Sequence, residues 1–427
     1  MVTVIADDLT GACDTGAAFA QRGFRTLVRI TLQAGNRHSD DQPSGGMPDV
    51  LVLNTESRYL PHADAVAAVR AAGMLLLPLK VGAIVYKKID STLRGHPGDE
   101  LHALLDAMQL DTALVTPAFP AQGRTVVNGQ LMVHGQPLEL TLFAHEGAHG
   151  RLAEVFAHSS RPVHMLTSDE VRHDLCRRAD SLRSLPGQGQ TLPRPLPSDR
   201  LAYDSGIIIA DAQTDTDLEL LVRWALARGV RLLCGSAGLA TALASQLQAP
   251  GNSHAVLTGP TGPVLIIAGS LHPSTVGQVQ YVHGRGVPVI QPTADWLSGD
   301  AGVTATLADE ITTKLQRMGC AVLTTSGLAE SPLGRLAVAR QLSAIAVKVA
   351  SRMAFGRLVL TGGDVATAVC TALGAHWLLL TGEAQPGIAI GELADGRYAG
   401  LQVITKAGGF GAEDALMRQI GINPMLH

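Results

Sequence analysis

Short runs of β-branched and aliphatic residues alternate with alanine-rich stretches along the whole of this chain. Residues 2–5, 49–53 and 83–86 have the composition of buried strands. Residues 12–21 follow the first of these runs and residues 63–73 follow the second. Both stretches are rich in small helix-forming residues. Strands that alternate with helices form parallel sheets with crossover helices. We therefore predict an α/β fold in which each domain is a mostly parallel sheet flanked by helices.

The length of the chain indicates more than one domain. A chain of 427 residues exceeds what one hydrophobic core ordinarily supports, and two or three domains are expected. Residues 249–261 are rich in Pro, Gly, Ser and Asn and show little periodicity, as is typical of a linker. We predict one domain over residues 1–248 and a second over residues 262–427, with the active site in the cleft between them.

Composition excludes several classes of protein. The net charge is −4, and no basic run is interleaved with aromatic residues, so nucleic acid is not an expected partner. The five cysteines are odd in number and form no CxxC pair, which argues against a disulfide framework and a zinc knuckle. The first apolar run ends at Asp7, too soon for a signal peptide, and the longest runs fall far short of a membrane span. We expect a cytoplasmic enzyme without a membrane partner, and a homodimer is the common default for its assembly.

Two adjacent carboxylates, Asp7 and Asp8, directly follow the first predicted strand. In open α/β sheets, ligands bind beyond the carboxyl ends of the strands. Consecutive side chains at a strand end point in different directions, so that one acid could face a ligand while the other braces the loop. The structural alternative is that an Asp only caps the following helix. A third carboxylate at Asp14 adds weight to a functional role.

An arginine ends the polar stretch after the next predicted strand. Residues 54–58 read Asn-Thr-Glu-Ser-Arg. A guanidinium is a planar fork that binds a carboxylate through two parallel hydrogen bonds, so Arg58 is a candidate for carboxylate recognition. The alternative is a surface ion pair between Glu56 and Arg58.

The densest polar cluster, residues 87–95, follows the strand at residues 83–86. Lys88 could neutralise a carboxylate or a phosphate, and Asp90 could accept hydrogen bonds from hydroxyl groups. Ser91 could donate a hydrogen bond or cap the next helix. After a further strand, two prolines stiffen residues 117–124, where Gln122 and Arg124 could close over a ligand. Asn-Gly and His-Gly turns then predict a small β-ribbon that caps the cleft.

Two glycine-rich turns follow predicted strands in the second half of the chain. Residues 361–367 read Thr-Gly-Gly-Asp-Val-Ala-Thr, and residues 406–411 read Lys-Ala-Gly-Gly-Phe-Gly. Their amides could approach a phosphate at a helix start, with Lys406 as a point charge. Neither turn fits the Walker A pattern or GxGxxG, and tight packing is the alternative for each. Ser270 ends another strand, where it could touch a phosphate or cap the next helix.

A competing motif lies at residues 145–149, His-Glu-Gly-Ala-His, which fit HExxH. In that pattern two histidines one helical turn apart bind zinc. Gly147 and Gly150 would lie within the ligand-bearing helix, each costing about 1 kcal/mol relative to Ala. The extended pattern also needs Gly at the position of Leu152. Zinc catalysis is therefore a minor alternative, and the role of His145 to His149 stays open.

The motifs in this order resemble those of the four-carbon acid sugar kinases, the threonate, erythronate and 3-oxo-tetronate kinases. Residues 5–16 are similar to the opening motif of that family, and residues 54–58, 88–95 and 117–124 to its substrate-binding domain. The turns of the second half resemble its nucleotide-binding domain, and the likeness covers nearly the whole chain. Leu9 stands where many members have Phe, and Val365 where many have Thr.

The resemblance implies which residues bind the two substrates. It assigns sugar-acid contacts to Asp8, Arg58 and the segment from Lys88 to Ser91, which includes Asp90. It assigns ATP contacts to Ser270, Gly362, Gly363, Asp364, Val365 and Gly408. The pattern of the last turn adds Lys406 and Gly409 to the nucleotide site.

The resulting hypothesis is ATP-dependent phosphorylation of the terminal hydroxyl of D-threonate or D-erythronate, giving the 4-phosphate. Asp8 or Asp90 would be the general base, and the sequence does not choose between them. Mg²⁺ should bridge the ATP phosphates with few protein ligands, and no residues are assigned to it. Two alternatives are a 3-oxo-tetronate 4-kinase and a non-catalytic protein that binds sugar acids. The motifs do not indicate the stereochemistry of the four-carbon acid.

Overall fold

The computed structural model describes residues 1–32, 46–79, 82–146, 149–158, 160–183, 205–250, 259–293, 296, 300–326 and 334–421. The strands are β1 (Val2–Ala6), β2 (Thr26–Arg29), β3 (Val50–Asn54), β4 (Ile84–Lys88), β5 (Thr112–Thr116), β6 (Arg124–Val127), β7 (Gln130–Val133), β8 (Gln136–Pro137), β9 (Val163–Leu166), β10 (Gly206–Ala210), β11 (Leu232–Gly235), β12 (Val264–Ala268), β13 (Val289–Ile290), β14 (Cys320–Thr324), β15 (Arg357–Thr361), β16 (Trp377–Gln385), β17 (Ile388–Leu393) and β18 (Gln402–Lys406). The helices are α1 (Leu9–Ala20), α2 (His62–Leu76), α3 (Pro97–Met108), α4 (Leu152–Val155), α5 (Ser168–Arg183), α6 (Asp215–Ala227), α7 (Ala237–Gln246), α8 (Pro273–His283), α9 (Ala301–Met318), α10 (Gly334–Arg352), α11 (Gly363–Ala372) and α12 (Ala415–Gln419). Residues 251–258 of the predicted linker and residues 147–148 of the HExxH segment lie outside the described part.

Packing divides the chain into two compact units. Unit 1 consists of Met1–Asp7 and Thr55–Pro250, and unit 2 of Asp8–Asn54 and Gly251–His427. The second boundary falls within the predicted linker, but residues 8–54 pack with the second half of the chain rather than with the first. The reason is α1, every residue of which is buried. This helix packs against β2, β3, β16 and β17, so its neighbours come from both ends of the sequence.

Unit 1 contains a sheet of six parallel strands in the order β1-β4-β11-β5-β10-β9. Strands β1 and β10 are buried along their whole length, as expected for parallel strands that helices cover on both faces. The register pairs Ala6 with Lys88 and Lys88 with Gly235. The segments that leave β1, β4 and β11 therefore start from neighbouring points on the carboxyl edge.

The predicted β-ribbon is confirmed. Strands β6, β7 and β8 form a separate antiparallel sheet in unit 1. Asn128 and Gly129 join the first two strands with φ values of 51° and 70°. Left-handed conformations at both central residues are what a two-residue hairpin of this kind requires.

One helical stretch of unit 1, His62–Leu79, is long and apolar enough by length and composition alone to cross a membrane. Its inner face is buried, however, and packs on α3. At Gly73 the two helices approach so closely that an added Cβ would lie 2.8 Å from the Cβ of Ala107. The stretch therefore contributes to the packing of unit 1.

Unit 2 contains strands in the order β13-β14-β12-β15-β18-β17-β16-β2-β3. The first five are parallel, whereas β17 runs antiparallel to both β18 and β16. The register pairs Ala268 with Thr361 and Thr361 with Lys406. The turns after β12, β15 and β18 thus begin side by side. The prediction of mostly parallel sheets flanked by helices is confirmed.

Candidate active site

In unit 1, the segment after β3 is fastened to the end of β1 by its backbone. The amide and hydroxyl groups of Thr55 both donate to the carbonyl of Ala6, at 2.9 and 2.8 Å. The amide of Arg58 donates to the carbonyl of Asp7 at 3.1 Å. These bonds bring the Arg58 side chain to the carboxylate that follows the strand.

Asp7 and Arg58 form a buried, two-pronged ion pair. Nε of Arg58 lies 2.8 Å from Oδ2 of Asp7, and Nη2 lies 2.9 Å from Oδ1. Burial opposes ionisation of Asp7, but Arg58 and the nearby Lys87 and Lys88 outweigh it and hold the pKa of the carboxyl below its ordinary value. Arg58 is only 7% exposed, so it does not lie on the surface as the alternative of a surface pair with Glu56 required. Much of the Arg58 fork is thus occupied by the protein's own carboxylate, a partner that sequence reasoning did not identify.

Asp90 is the second buried carboxylate of this cluster. Nε and Nη2 of Arg94 donate to it at 2.9 and 2.8 Å, and the amide of Thr92 donates at 3.1 Å. Nη1 of Arg58 lies 3.9 Å away. Although burial raises the pKa of Asp90, Arg94 and Arg58 hold it well below the ordinary value. Such a carboxylate accepts hydrogen bonds well and is a weak proton acceptor.

Two lysines at the end of β4 point to opposite faces of the sheet, as period-two alternation requires. Lys88 is buried and donates to the carbonyl of Ile89 at 3.0 Å, close enough to Asp7 to influence its pKa. Lys87 is fully buried and pairs with Glu100 on α3 at 2.8 Å. The Lys87–Glu100 pair was missed by sequence reasoning, which does not tell which of two consecutive lysines faces the core. Ser91, the last predicted residue of this group, is also buried.

Backbone strain accompanies this cluster. Glu56 and Leu93 have φ values of 52° and 62°, in the left-handed region that non-glycine residues seldom adopt. Gly95 has a φ of 88°, and an added Cβ there would lie 3.1 Å from the carbonyl oxygen of Arg58. The two loops therefore fit against each other at glycine distance. We call Asp7, Arg58, Lys88, Asp90, Ser91 and Arg94 the unit 1 cluster.

In unit 2, the glycine-rich turns after β15 and β18 touch. The amide of Gly362 donates to the carbonyl of Lys406 at 3.0 Å, and Gly362 has a φ of 94°. An added Cβ at Gly408 would lie 2.1 Å from Oγ of Ser270, so a larger residue there would force that serine to move. The alternative that Ser270 caps α8 is wrong, because Nδ1 of His272 accepts from the amide of Ser274 and makes that cap. A Cβ at Gly409 would lie 3.2 Å from Nε2 of the same His272.

Asp8 lies with these turns in unit 2. It caps α1, accepting from the amide of Gly11 at 2.8 Å and from the hydroxyl of Thr10 at 2.7 Å. The helix-cap alternative is thus confirmed for Asp8. An added Cβ at Gly363 would lie only 2.9 Å from Oδ2 of Asp8. The carboxylate therefore faces the start of α11, beside the turn predicted to bind phosphate.

Lys406 braces its own turn. Its Nζ lies 2.9 to 3.2 Å from the hydroxyl of Thr275 and from the carbonyls of Ala407, Gly408 and Phe410. Burial lowers the pKa of Lys406 to about 7. Gln278 donates to the carbonyls of Phe410, Gly411 and Ala412, at 3.0 Å each, and sequence reasoning did not find it. The side chain predicted as a point charge for phosphate thus holds the shape of the glycine loop.

The remaining predicted nucleotide residues open α11. Asp364 pairs with Arg335 of α10 at 3.3 Å. Val365 is buried, and an added Cβ at Gly269 would lie 2.4 Å from its Cγ2. Its side chain therefore packs in the interior of unit 2. We call Asp8, Ser270, Gly362, Gly363, Asp364, Lys406, Gly408 and Gly409 the unit 2 cluster.

Across the described ranges, no group of three or more His, Cys, Asp or Glu side chains is arranged to hold a metal ion. The HExxH segment is only partly within those ranges. Residues 142–146 form a 3₁₀ helix rather than the α-helix that zinc ligation by this motif needs.

Comparison with known families identifies the class of protein. A sugar-binding N-terminal domain matches residues 2–243, and a nucleotide-binding C-terminal domain matches residues 265–416. Together the two matches span most of the chain. The protein therefore belongs to a family that combines a sugar-binding and a nucleotide-binding domain.

Curated relatives narrow the class further. The chain is 34% identical to a D-threonate kinase of Salmonella typhimurium, covering 97% of this chain and 96% of that protein. It is 30% identical to a D-erythronate kinase of Heliobacterium modesticaldum (97% and 95%) and to a 3-oxo-tetronate kinase of Methylobacterium radiotolerans (97% and 97%). The chain is a member of the four-carbon acid sugar kinase family, as its motifs indicated.

A solved structure supports the fold alone. The Haemophilus influenzae protein HI1011 superposes with a TM-score of 0.70 at 20% identity, covering 98% of this chain and 99% of that one.

Proposed function

We propose that the protein phosphorylates the terminal hydroxyl of D-threonate or D-erythronate with ATP, giving the 4-phosphate. The observation that carries the proposal is the pair of glycine-rich turns in unit 2, joined by the Gly362–Lys406 hydrogen bond. A protein that only binds sugar acids needs the unit 1 cluster but has no use for two such turns. Phosphoryl transfer needs both, because its catalysis consists of positioning and charge neutralisation.

The unit 1 cluster suits a polyhydroxylated acid. The carboxylate of Asp90 is kept ionised by Arg94 and can accept hydrogen bonds from substrate hydroxyls. Lys88 and Ser91 supply donors at the end of the same strand. Arg58 fixes Asp7 and, through its Nη1, faces Asp90, so it shapes the acceptor side of the site.

The unit 2 cluster suits a nucleotide triphosphate. Glycines at 362, 363, 408 and 409 let the backbone come close to phosphate oxygens, and the first amides of α11 are free of a side-chain cap. Mg²⁺ is expected to accompany ATP, with Asp364 as the nearest carboxylate of the turn and water as its main ligand. Its contribution would be to neutralise charge on the phosphates.

We assign the general-base role to Asp8 rather than Asp90. Asp90 accepts from Arg94 and Thr92, and its pKa lies well below the ordinary value, which makes it a poor proton acceptor. Asp8 lies against Gly363 at the phosphate turn.

An ADP-release screen over four-carbon acids tests the proposal. With ATP and Mg²⁺, D-threonate or D-erythronate should be turned over, and Asp90→Ala should abolish most of the signal. Turnover only with 3-oxo-tetronates would favour the alternative kinase. Binding of the acids without ADP release from any of them would favour a binding protein.

We further propose that the enzyme is cytoplasmic and works without a membrane or nucleic acid. A homodimer is its default assembly, and light scattering would test this.

Gly408→Ala is expected to raise the KM for ATP about tenfold, because the new methyl group would overlap Oγ of Ser270 and overpacking costs about 1–3 kcal/mol. The KM for the sugar acid should stay within about twofold. Gly277→Ala, on α8 where an added Cβ meets open space, is the matched control. An unchanged KM for ATP in Gly408→Ala would contradict a nucleotide site at this turn.

Lys406→Met should change how stability depends on pH. The pKa of Lys406 is lowered from 10.5 to about 7 in the folded protein, so between these values the unfolded chain binds a proton that the folded one does not. The free energy of unfolding of the wild type therefore contains a term that rises with pH across this window, and Met removes it. The Tm of the variant relative to wild type should be highest near pH 6 and should fall towards pH 10. A difference that does not vary with pH would contradict this assignment.

A further inference from the structure

Arg124, which lies in unit 1, follows a loop that backbone hydrogen bonds close. Phe119 and Arg124 exchange backbone hydrogen bonds of 2.8 and 3.1 Å and close the loop after β5. The carbonyl of Gly123, whose φ is 72°, accepts from the amide of His134 at 2.7 Å. The loop is therefore tied at its base and to the neighbouring strand β7, which limits where the Arg124 side chain can reach.

The guanidinium of Arg124 has hydrogen-bond capacity to spare. Its carbon lies 5.7 Å from the ring centroid of Phe143, and Nη1 donates to the carbonyl of Gln122. Nε is buried, and within the described residues it has no hydrogen-bond acceptor. A buried donor without an acceptor carries a desolvation cost that a bound ligand would remove.

Three other cationic side chains of unit 1 differ in this respect. Arg58 pairs with Asp7, Lys87 with Glu100, and Arg94 with Asp90, each within 2.9 Å. No carboxylate in the described part of the chain forms an ion pair with Arg124. Burial lowers the pKa of Arg124, and Asp90 and Arg94 are near enough to influence it. The cation thus lies beside the unit 1 cluster.

We propose that Arg124 binds the carboxylate of the sugar acid, a role that Arg58 cannot fill alone because Asp7 already occupies two of its nitrogens. The Nε edge of a guanidinium, together with one Nη, presents two parallel donors that match a carboxylate. The ring of Phe143 lies beside the group, 5.7 Å from its carbon, and Asp90 nearby is left to accept from hydroxyls. This inference rests on the proposed function, since it names the residue that distinguishes an acid from a neutral polyol at that site.

The test compares D-threonate with D-threitol, a polyol of the same length that lacks the carboxylate. In Arg124→Gln, kcat/KM for D-threonate should fall about 10- to 100-fold, as for loss of a hydrogen-bonded charge pair. Activity with D-threitol should stay within about twofold, and calorimetric binding of D-threonate without ATP should weaken in parallel. Arg151→Gln, which removes an exposed arginine of the same unit, is the matched control.

Each outcome decides between explanations. An equal fall for acid and polyol would overturn the carboxylate assignment and place Arg124 on the transferred phosphoryl group. Unchanged D-threonate kinetics would overturn any binding role. If Arg124→Gln does not fold, Arg124→Lys takes its place, because it keeps the charge but loses the two parallel donors. The activity of this variant with D-threonate relative to D-threitol should still be lower than that of the wild type. A wild-type protein that phosphorylates no four-carbon acid would instead overturn the proposed function itself.

Discussion

Asp8→Asn should lower kcat by about three orders of magnitude, since a positioned general base contributes about 10²- to 10⁴-fold. The substitution is conservative for the fold. Asn is about as good a helix cap as Asp, so the bond to the amide of Gly11 can be kept. The KM values for ATP and for the sugar acid should therefore change little, and steady-state kinetics with thermal melting would separate the chemical effect from a structural one.

Asp90→Asn is the informative comparison for this prediction. It removes a charge that Arg94 and Arg58 both face, so binding of the sugar acid should weaken and its KM should rise. At saturating substrates, kcat should fall less in Asp90→Asn than in Asp8→Asn. If Asp8→Asn keeps a kcat near that of wild type while Asp90→Asn loses it, the two roles are the reverse of those assigned here.

Arg58→Ala should destabilise the protein by about 3–5 kcal/mol, because it leaves the buried carboxylate of Asp7 without its main partner. For a unit of this size, such a loss lowers Tm by about 10 °C. Sugar-acid kinase activity should be lost as well, since Arg58 lies 3.9 Å from Asp90 and helps to keep its carboxylate ionised. Thermal melting followed by the ADP-release assay measures both effects.

The loss of Tm in Arg58→Ala should depend on pH. In the wild type the pKa of Asp7 lies below its unfolded value of about 3.9, so the pair contributes stability above that pH and loses it as pH falls through the folded pKa. Without Arg58, burial is opposed only by the lysines and the pKa rises. The deficit in Tm should therefore be large at pH 7 and should shrink once the pH falls below about 4, towards the folded pKa of Asp7.

A double variant serves as the control for charge. Asp7→Asn with Arg58→Met replaces the ion pair by neutral groups of similar size and should recover much of the lost Tm without recovering activity. A single Arg58→Ala protein that melts within about 2 °C of wild type would show that the pair is not needed for stability.

The sequence predicted which polar segments lie next to each other, because the geometry of a parallel sheet leaves few choices. Polar residues directly after buried parallel strands must meet at one edge of a sheet. Residues 55–58 and 87–95 therefore lie together in unit 1, and residues 361–367 and 406–411 touch in unit 2. The antiparallel strand β17 was not predicted, since its short apolar run carries no sign of strand direction.

Partners of individual side chains could not be predicted. Asp7 and Arg58 are 51 positions apart. The local sequence does not indicate whether Arg58 pairs with Asp7 or with Asp8. Lys406 looked like a phosphate ligand because glycines surround it. Only the folded loop shows that carbonyls of those same residues take up its donors. Such pairings depend on long-range packing, which composition and periodicity do not record.

The boundary between Asp7 and Asp8 has a consequence for how this protein can be divided. A fragment that starts at residue 262 would lack α1, and it would leave the edge of β16 that pairs with β2 without its neighbour. An N-terminal piece would carry α1, all of whose residues are buried in the full chain, without the strands β16 and β17 that cover it. Exchange of the nucleotide-binding unit between relatives therefore has to transplant two separate stretches of chain together, which a single crossover in the gene would not achieve.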